Sequence, residues 1–272
     1  MKYLAVLLLA LALPARAALD ETVIRVPVGA ERAQIEVTIY KPAGKGPFPV
    51  AILSHGSPRT PAERRSNGRQ RLTGQSQRFV DMGFAVVVPT RRGYGASEGE
   101  FAENFGKCND PDYRGASLET ARDIRAAADA IRTEPWADAR RIVLVGQSAG
   151  GLGSIAAASA PFEGAVAVVN FAGGRGSRGP DEVCNEGRLV ETMAGFGATS
   201  KLPELWIYSS NDHYFGPALA QRMHAAFVKA GGKAEFVEAP ASGNDGHAYF
   251  VRAPDDWAPR VVRFLDNAGV KR

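Results

Sequence analysis

The sequence predicts an α/β protein with a doubly wound, mainly parallel sheet and an antiparallel hairpin at its N-terminal edge. Three observations carry this. Short, mostly apolar runs at 50–53, 84–88, 142–145, 165–169, 205–208 and 234–237 suit strands covered on both faces. Helical stretches lie between them, as right-handed β-α-β crossovers require. By contrast, 22–28 and 34–40 alternate apolar and polar residues around Gly29-Ala30, the pattern of a half-exposed hairpin.

The helices follow in order. The first, 76–82, ends at Gly83, and the second, 118–132, carries Leu118, Ala121, Ile124, Ala128 and Ile131 at helical spacing. A small-residue helix at 149–159 stops before Pro161, and 217–230 opens on Pro217 and stops at Gly231-Gly232. A helix at 257–267 closes the chain. The less regular stretch 173–202 holds a short helix at 186–193 and rims one end of the sheet.

Residues 1–17 read as an export signal. Lys2 gives the charged start, 4–13 the apolar core, and Ala15-Arg16-Ala17 an A-x-A cleavage site. A core of that length cannot span a bilayer, which needs about 20 residues, and no cysteine follows for lipid attachment. The mature chain is expected near 18–272 as one domain, exported to a periplasm or medium. Losing Lys2 and Arg16 leaves 31 basic against 29 acidic residues. An excess so small and scattered argues against a nucleic-acid partner. Cys108 and Cys184 match no zinc spacing, and in an oxidising compartment a disulfide is the favoured reading over two separate thiols. No metal or cofactor is expected, and the oligomeric state stays open.

The chemistry centres on Ile142-Val143-Leu144-Val145-Gly146-Gln147-Ser148-Ala149-Gly150-Gly151. An apolar run ends in Gly-x-Ser-x-Gly and a helix follows at once, placing Ser148 at the apex of a sharp turn. A serine hydroxyl needs a base, and the base needs an orienting carboxylate. Of four histidines, His247 lies in the Gly-rich loop after the last strand and is the candidate base. His55 follows a strand in His-Gly-Ser-Pro and belongs with the oxyanion loop, while His224, within a helix, reads as ordinary surface. Asp212 follows the strand 205–208 and is the candidate acid; its other reading is a cap for the helix at Pro217, and Asp245 and Glu238 are rivals. The Ala149 N–H at the helix start and the Ser57 N–H, with Gly56 as its rival, are candidate oxyanion donors.

With these residues in place, the chain resembles an α/β-hydrolase serine hydrolase of the dienelactone hydrolase-like and prolyl oligopeptidase-like branch. The matching residues are His55-Gly56-Ser57, Arg92-Gly93-Tyr94-Gly95-Ala96-Ser97-Glu98-Gly99, the Ser148 turn, Asp212 and Gly246-His247. The resemblance implies that Tyr94 borders the substrate cleft, unless it is only a packing residue in a turn. Two departures limit it: dienelactone hydrolases use a cysteine where this chain has Ser148, and no room exists here for the propeller of prolyl oligopeptidases.

The expected function is therefore a serine esterase acting on a small-molecule ester, without stable membrane insertion. A peptidase on the same three residues and a non-catalytic binding protein of this fold are the alternatives. Arg59, Arg64, Arg65, Arg69 and Arg71 cluster after the oxyanion loop. They read either as a solvated loop or as a field for an anionic substrate.

Overall fold

The computed structural model describes residues 19–271. The expected signal segment, 1–17, lies outside them. The eight strands of the main sheet are β1 (Glu21–Val28), β2 (Ala33–Tyr40), β3 (Phe48–Ser54), β4 (Ala85–Thr90), β5 (Ala137–Gln147), β6 (Ala165–Phe171), β7 (Pro203–Ser209) and β8 (Lys233–Ala239). Their order is β1-β2-β4-β3-β5-β6-β7-β8. β2 runs antiparallel to β1 and to β4, and the remaining neighbours are parallel. Both the edge hairpin and the parallel centre are as the sequence predicts.

Eight helices accompany the sheet among the described residues: α1 (Pro61–Ser66), α2 (Thr73–Asp81), α3 (Tyr113–Ala130), α4 (Ala149–Ala158), α5 (Glu186–Gly197), α6 (Pro217–Lys229), α7 (Tyr249–Arg252) and α8 (Pro254–Asn267). Alternate side chains of the central strands feed two separate cores. Ile52, Leu144, Val168 and Trp206 pack with Ile124, Leu152, Phe196 and Phe227 on one face. Leu53, Val145, Val169 and Ile207 pack with Phe79, Trp257 and Phe264 on the other. This period-two division explains why the strands read as continuous apolar runs.

Several boundaries differ from expectation. Asp112 caps α3 by accepting the Gly115 N–H at 2.7 Å, so the helix begins five residues earlier than the apolar periodicity suggests. Stretch 58–72, read as loop, contains α1, held by a capping box between Thr60 and Glu63. His224 is not simple surface: it is half-buried on α6, its Nε2 donates to the Ala234 carbonyl, and its ring meets Trp206 and Phe236.

Two short ribbons were not foreseen, Gly106–Lys107 with Asp110–Pro111 and Ser177–Gly179 with Glu182–Val183. The Cys108–Cys184 disulfide joins them. Tyr113 at the start of α3 donates its hydroxyl to the Cys184 carbonyl. The ribbons therefore form one clamped wall above the C-terminal ends of the strands.

Candidate active site

β5 runs straight into α4 through Ser148, whose backbone holds φ 56° and ψ −124°. A non-glycine residue there costs roughly 1–3 kcal/mol of strain, supported by its surroundings. Two glycines make the turn possible. A Cβ on Gly146 would run into the Gly150 carbonyl, and one on Gly150 into the Ser54 and His55 carbonyls. The serine stays put because its N–H donates to the Phe171 carbonyl at 3.0 Å and its carbonyl accepts from Leu152 and Gly174.

Asp212 lies beyond the end of β7, fully buried. Its Oδ1 accepts the N–H groups of Tyr214 (2.7 Å) and Phe215 (2.9 Å), and its Oδ2 faces His247 Nδ1 at 3.1 Å. It is not a cap of α6, whose N-cap is Gly216. The bond to Asp212 makes Nδ1 the protonated nitrogen of a neutral His247 and leaves Nε2 as the lone-pair side. The rival Asp245 serves the loop, accepting the backbone N–H groups of His247 and His213. Glu238 is engaged by Gln221.

Around the imidazole the structure adds residues that the sequence did not announce. Tyr214 stacks face to face on His247, with centroids 3.9 Å apart and 5° between planes, and Phe215 meets it edge-on. Gln147, inside the serine motif, donates from Nε2 to the His247 carbonyl at 2.8 Å. Proximity of Gln147 to Ser148 and of Tyr214 to Asp212 along the chain was the only available signal. Ser148 and His247 line one pocket together with Ser57 and Gln147. No hydrogen bond joins the serine Oγ to the ring in this structure, the loose state common before a substrate draws such groups together.

Ser57 and Ala149 flank Ser148 in an adjoining cavity of about 430 Å³. Neither backbone N–H is a donor to another described residue, so both remain available to a developing oxyanion. A Cβ on Gly56 would come within ordinary contact of the Ser148 side chain. The loop His55–Ser57 is braced from behind by His55 itself, which is buried. Its Nδ1 donates to the Gly56 carbonyl and its Nε2 accepts the Arg91 N–H. Burial, aided by the nearby Arg91 charge, pushes the His55 imidazole down to about 3, so it is neutral.

Tyr94 is not placed among the residues lining either cavity. It is buried, its hydroxyl donates to Glu103 at 2.9 Å, and its ring stands edge-on to His55. Burial keeps the phenol protonated, pushed up to about 12. Its visible work is to support the His55–Ser57 loop. Glu103 is also paired with buried Arg91 and with Arg175. Burial opposes its ionisation, but the two guanidinium groups win and hold the carboxyl well below the usual range.

Among the described residues no cluster of His, Cys, Asp and Glu is arranged to hold a metal, and no helix is long and apolar enough to cross a membrane. The model of the X-Pro dipeptidyl-peptidase (S15) family matches residues 31–238. A search of curated proteins gives no match. Among solved structures, the Pyrococcus furiosus esterase Pf2001 aligns with a TM-score of 0.64 at 15% identity, over 92% of this chain and 90% of that one. The Pyrococcus horikoshii acylaminoacyl peptidase gives 0.67 at 17% identity, over 94% of this chain and 42% of that one. Dipeptidyl peptidase 4 from Porphyromonas gingivalis gives 0.66 at 15%, over 92% and 36%. At such identities the likeness is one of fold, and this chain spans less than half of either peptidase.

Proposed function

The chain belongs to the X-Pro dipeptidyl-peptidase (S15) family and is a serine hydrolase of α/β-hydrolase fold, and from that premise we propose that it is an exported carboxylic ester hydrolase working through an acyl-enzyme on Ser148. The observation that carries the reading is that His247, held by the buried Asp212, lines the same pocket as the strained Ser148. In the first half-reaction, Ser148 Oγ attacks the ester carbonyl and His247 Nε2 takes its proton. The N–H groups of Ser57 and Ala149 hold the oxyanion, and the alkoxide leaves as an alcohol with the proton from His247. Water then repeats the sequence on the acyl-enzyme, releasing the acid and restoring the serine.

The family match favours a second reading, cleavage of peptides. Removing a dipeptide from a free amino terminus calls for a carboxylate to hold the ammonium group. None of the residues lining the cavity beside Ser148 is acidic, which supports esters over such peptides. The disulfide between Cys108 and Cys184 supports export, since such bonds persist in oxidising compartments.

A fluorophosphonate probe is expected to label Ser148 in the wild-type protein and not in Ser148→Ala, with ester turnover lost in parallel. Turnover of short acyl esters should exceed that of X-Pro aminoacyl amides. Retained turnover in Ser148→Ala would place the nucleophile elsewhere, and faster cleavage of the amides would favour the peptidase.

A further inference from the structure

We propose that the cavity beside Ser148 is an acyl subsite for a carboxylate, so that the preferred substrate is a half-ester of a dicarboxylic acid. The proposal rests on the hydrolase reading for its chemistry and on independent observations for its charge. Four arginines line the cavity, Arg59, Arg64, Arg175 and Arg178, and no lining residue is acidic. The rest of the wall is apolar or neutral, including Phe101, Phe105 and Phe215. Such a chamber suits a short chain ending in a negative charge.

The compensation of these charges is incomplete. Arg175 is 5% exposed and shares the single carboxylate of Glu103 with the fully buried Arg91. Two buried guanidinium groups and one carboxylate leave an excess positive charge beside the cavity. Arg175 Nε is sealed from solvent without an acceptor. Arg92, next along the chain, is balanced by Asp123, and Glu119, which it also meets, is shared with Arg122, so this neighbouring group does not cancel the excess. Arg59 and Arg64 have no carboxylate within ion-pair distance among the described residues. They are held by ring faces, Arg59 over Tyr214 and Arg64 over Phe101, each 3.9 Å from the centroid. Arg59 also donates to Ser177 Oγ at 2.9 Å, bridging the cavity mouth. Arg178 at the rim pairs with Glu182 at 3.4 Å, both groups being exposed. Guanidinium groups held against ring faces at a partly closed cavity, Arg64 half-buried and Arg59 at its exposed mouth, bind a carboxylate better than freely moving ones.

The side of the ester follows from the base. The leaving alcohol must reach His247 to collect its proton, and His247 lines the other pocket. The arginine cavity holds Ser148, Ala149 and Ser57 but not His247. The anion therefore belongs to the acyl half, which stays on the serine when the alcohol departs.

Two measurements on the full chain test this. The first compares kcat/KM for aryl hemisuccinate or hemiglutarate with that for the equal-length neutral ester, and with an ester carrying its carboxylate on the alcohol side. The acyl carboxylate should win by about tenfold or more at low salt, the lead shrinking as ionic strength rises. Arg64→Gln and, separately, Arg59→Gln should each reduce that ratio. The second measures binding of glutarate and of neutral glutaramide to Ser148→Ala by calorimetry, which needs no turnover. Glutarate should bind more tightly, and Arg64→Gln should erase the difference. Equal binding of the two, or a preference for the neutral or alcohol-side ester, overturns the subsite while labelling of Ser148 leaves the hydrolase standing. Selective glutarate binding without labelling or turnover would instead retain the anion site and sink the hydrolase.

Discussion

Asp212 and Asp245 both touch His247, but at different atoms: Asp212 meets the ring Nδ1 and Asp245 the backbone N–H. Only the first can fix the tautomer and favour the imidazolium formed during attack. Asp212→Asn should leave Ser148 labelled by a fluorophosphonate, slowly, while kcat falls by up to about four orders of magnitude. Asp245→Asn keeps a side-chain oxygen to accept the same two loop amides and loses only the charge, so it should lower kcat no more than about tenfold, with little change in melting temperature. Steady-state kinetics and thermal unfolding of the two variants check this. A mild effect at Asp212 beside a severe one at Asp245 would reverse the assignment.

At the scale of elements, what the sequence revealed was what is local. The run 142–151 encodes strand, turn and helix within ten residues, so Ser148 and the start of α4 could be read directly. Asp212 and His247 were legible from their places after strands, because a parallel sheet gathers such loops at one end. Tyr94 was not, since which way a loop tyrosine turns depends on Glu103 and His55, distant contacts that no spacing encodes. The two disulfide-linked ribbons are two or three residues per strand, too short to show a period. α1 is a different case: Thr60-Pro61-Ala62-Glu63 is a capping box in plain sight, hidden by the arginines around it. Thr60→Ala should remove about 1 kcal/mol of support from this six-residue helix. Because α1 carries Arg64 into the cavity wall, the expected sign is a raised KM with little change in melting temperature. An unchanged KM would show that α1 does not need its cap to place Arg64.

For the molecule as a whole, the buried His55 links the loop that carries Ser57 to acid stability. In the fold its imidazole is held neutral, pushed down to about 3, whereas in the unfolded chain it takes a proton below about 6.5. Its contribution to stability is therefore complete above about 6.5 and is lost as pH falls from there toward about 3. The slope attributable to it is at most about 1.4 kcal/mol per pH unit. Carboxylates held ionised by partners, Glu103 among them, add their own loss in acid. His55→Asn keeps a side-chain donor but removes the titrating group, so its unfolding free energy should vary less between pH 6.5 and 4 than that of the wild type. Denaturant titrations at several pH values decide it, and parallel curves for the two proteins would remove His55 from the account.

The Cys108–Cys184 bond has a topological consequence. It turns the intervening chain into a covalent ring, and α3, β5, α4 and β6, with Ser148 among them, all belong to that ring. Asp212 and His247 sit on the tail that leaves it. A single peptide cut anywhere between the two cysteines leaves two pieces, one holding Cys108 and the other Cys184, joined through the disulfide, so no fragment is shed. After a first nick there, Ser148 thereby stays on the same covalent molecule as His247. Limited proteolysis followed by electrophoresis should show such nicked protein as one full-mass band without reductant and as two bands with it. Separation of the pieces without reductant would mean that the ring is not closed in the purified protein.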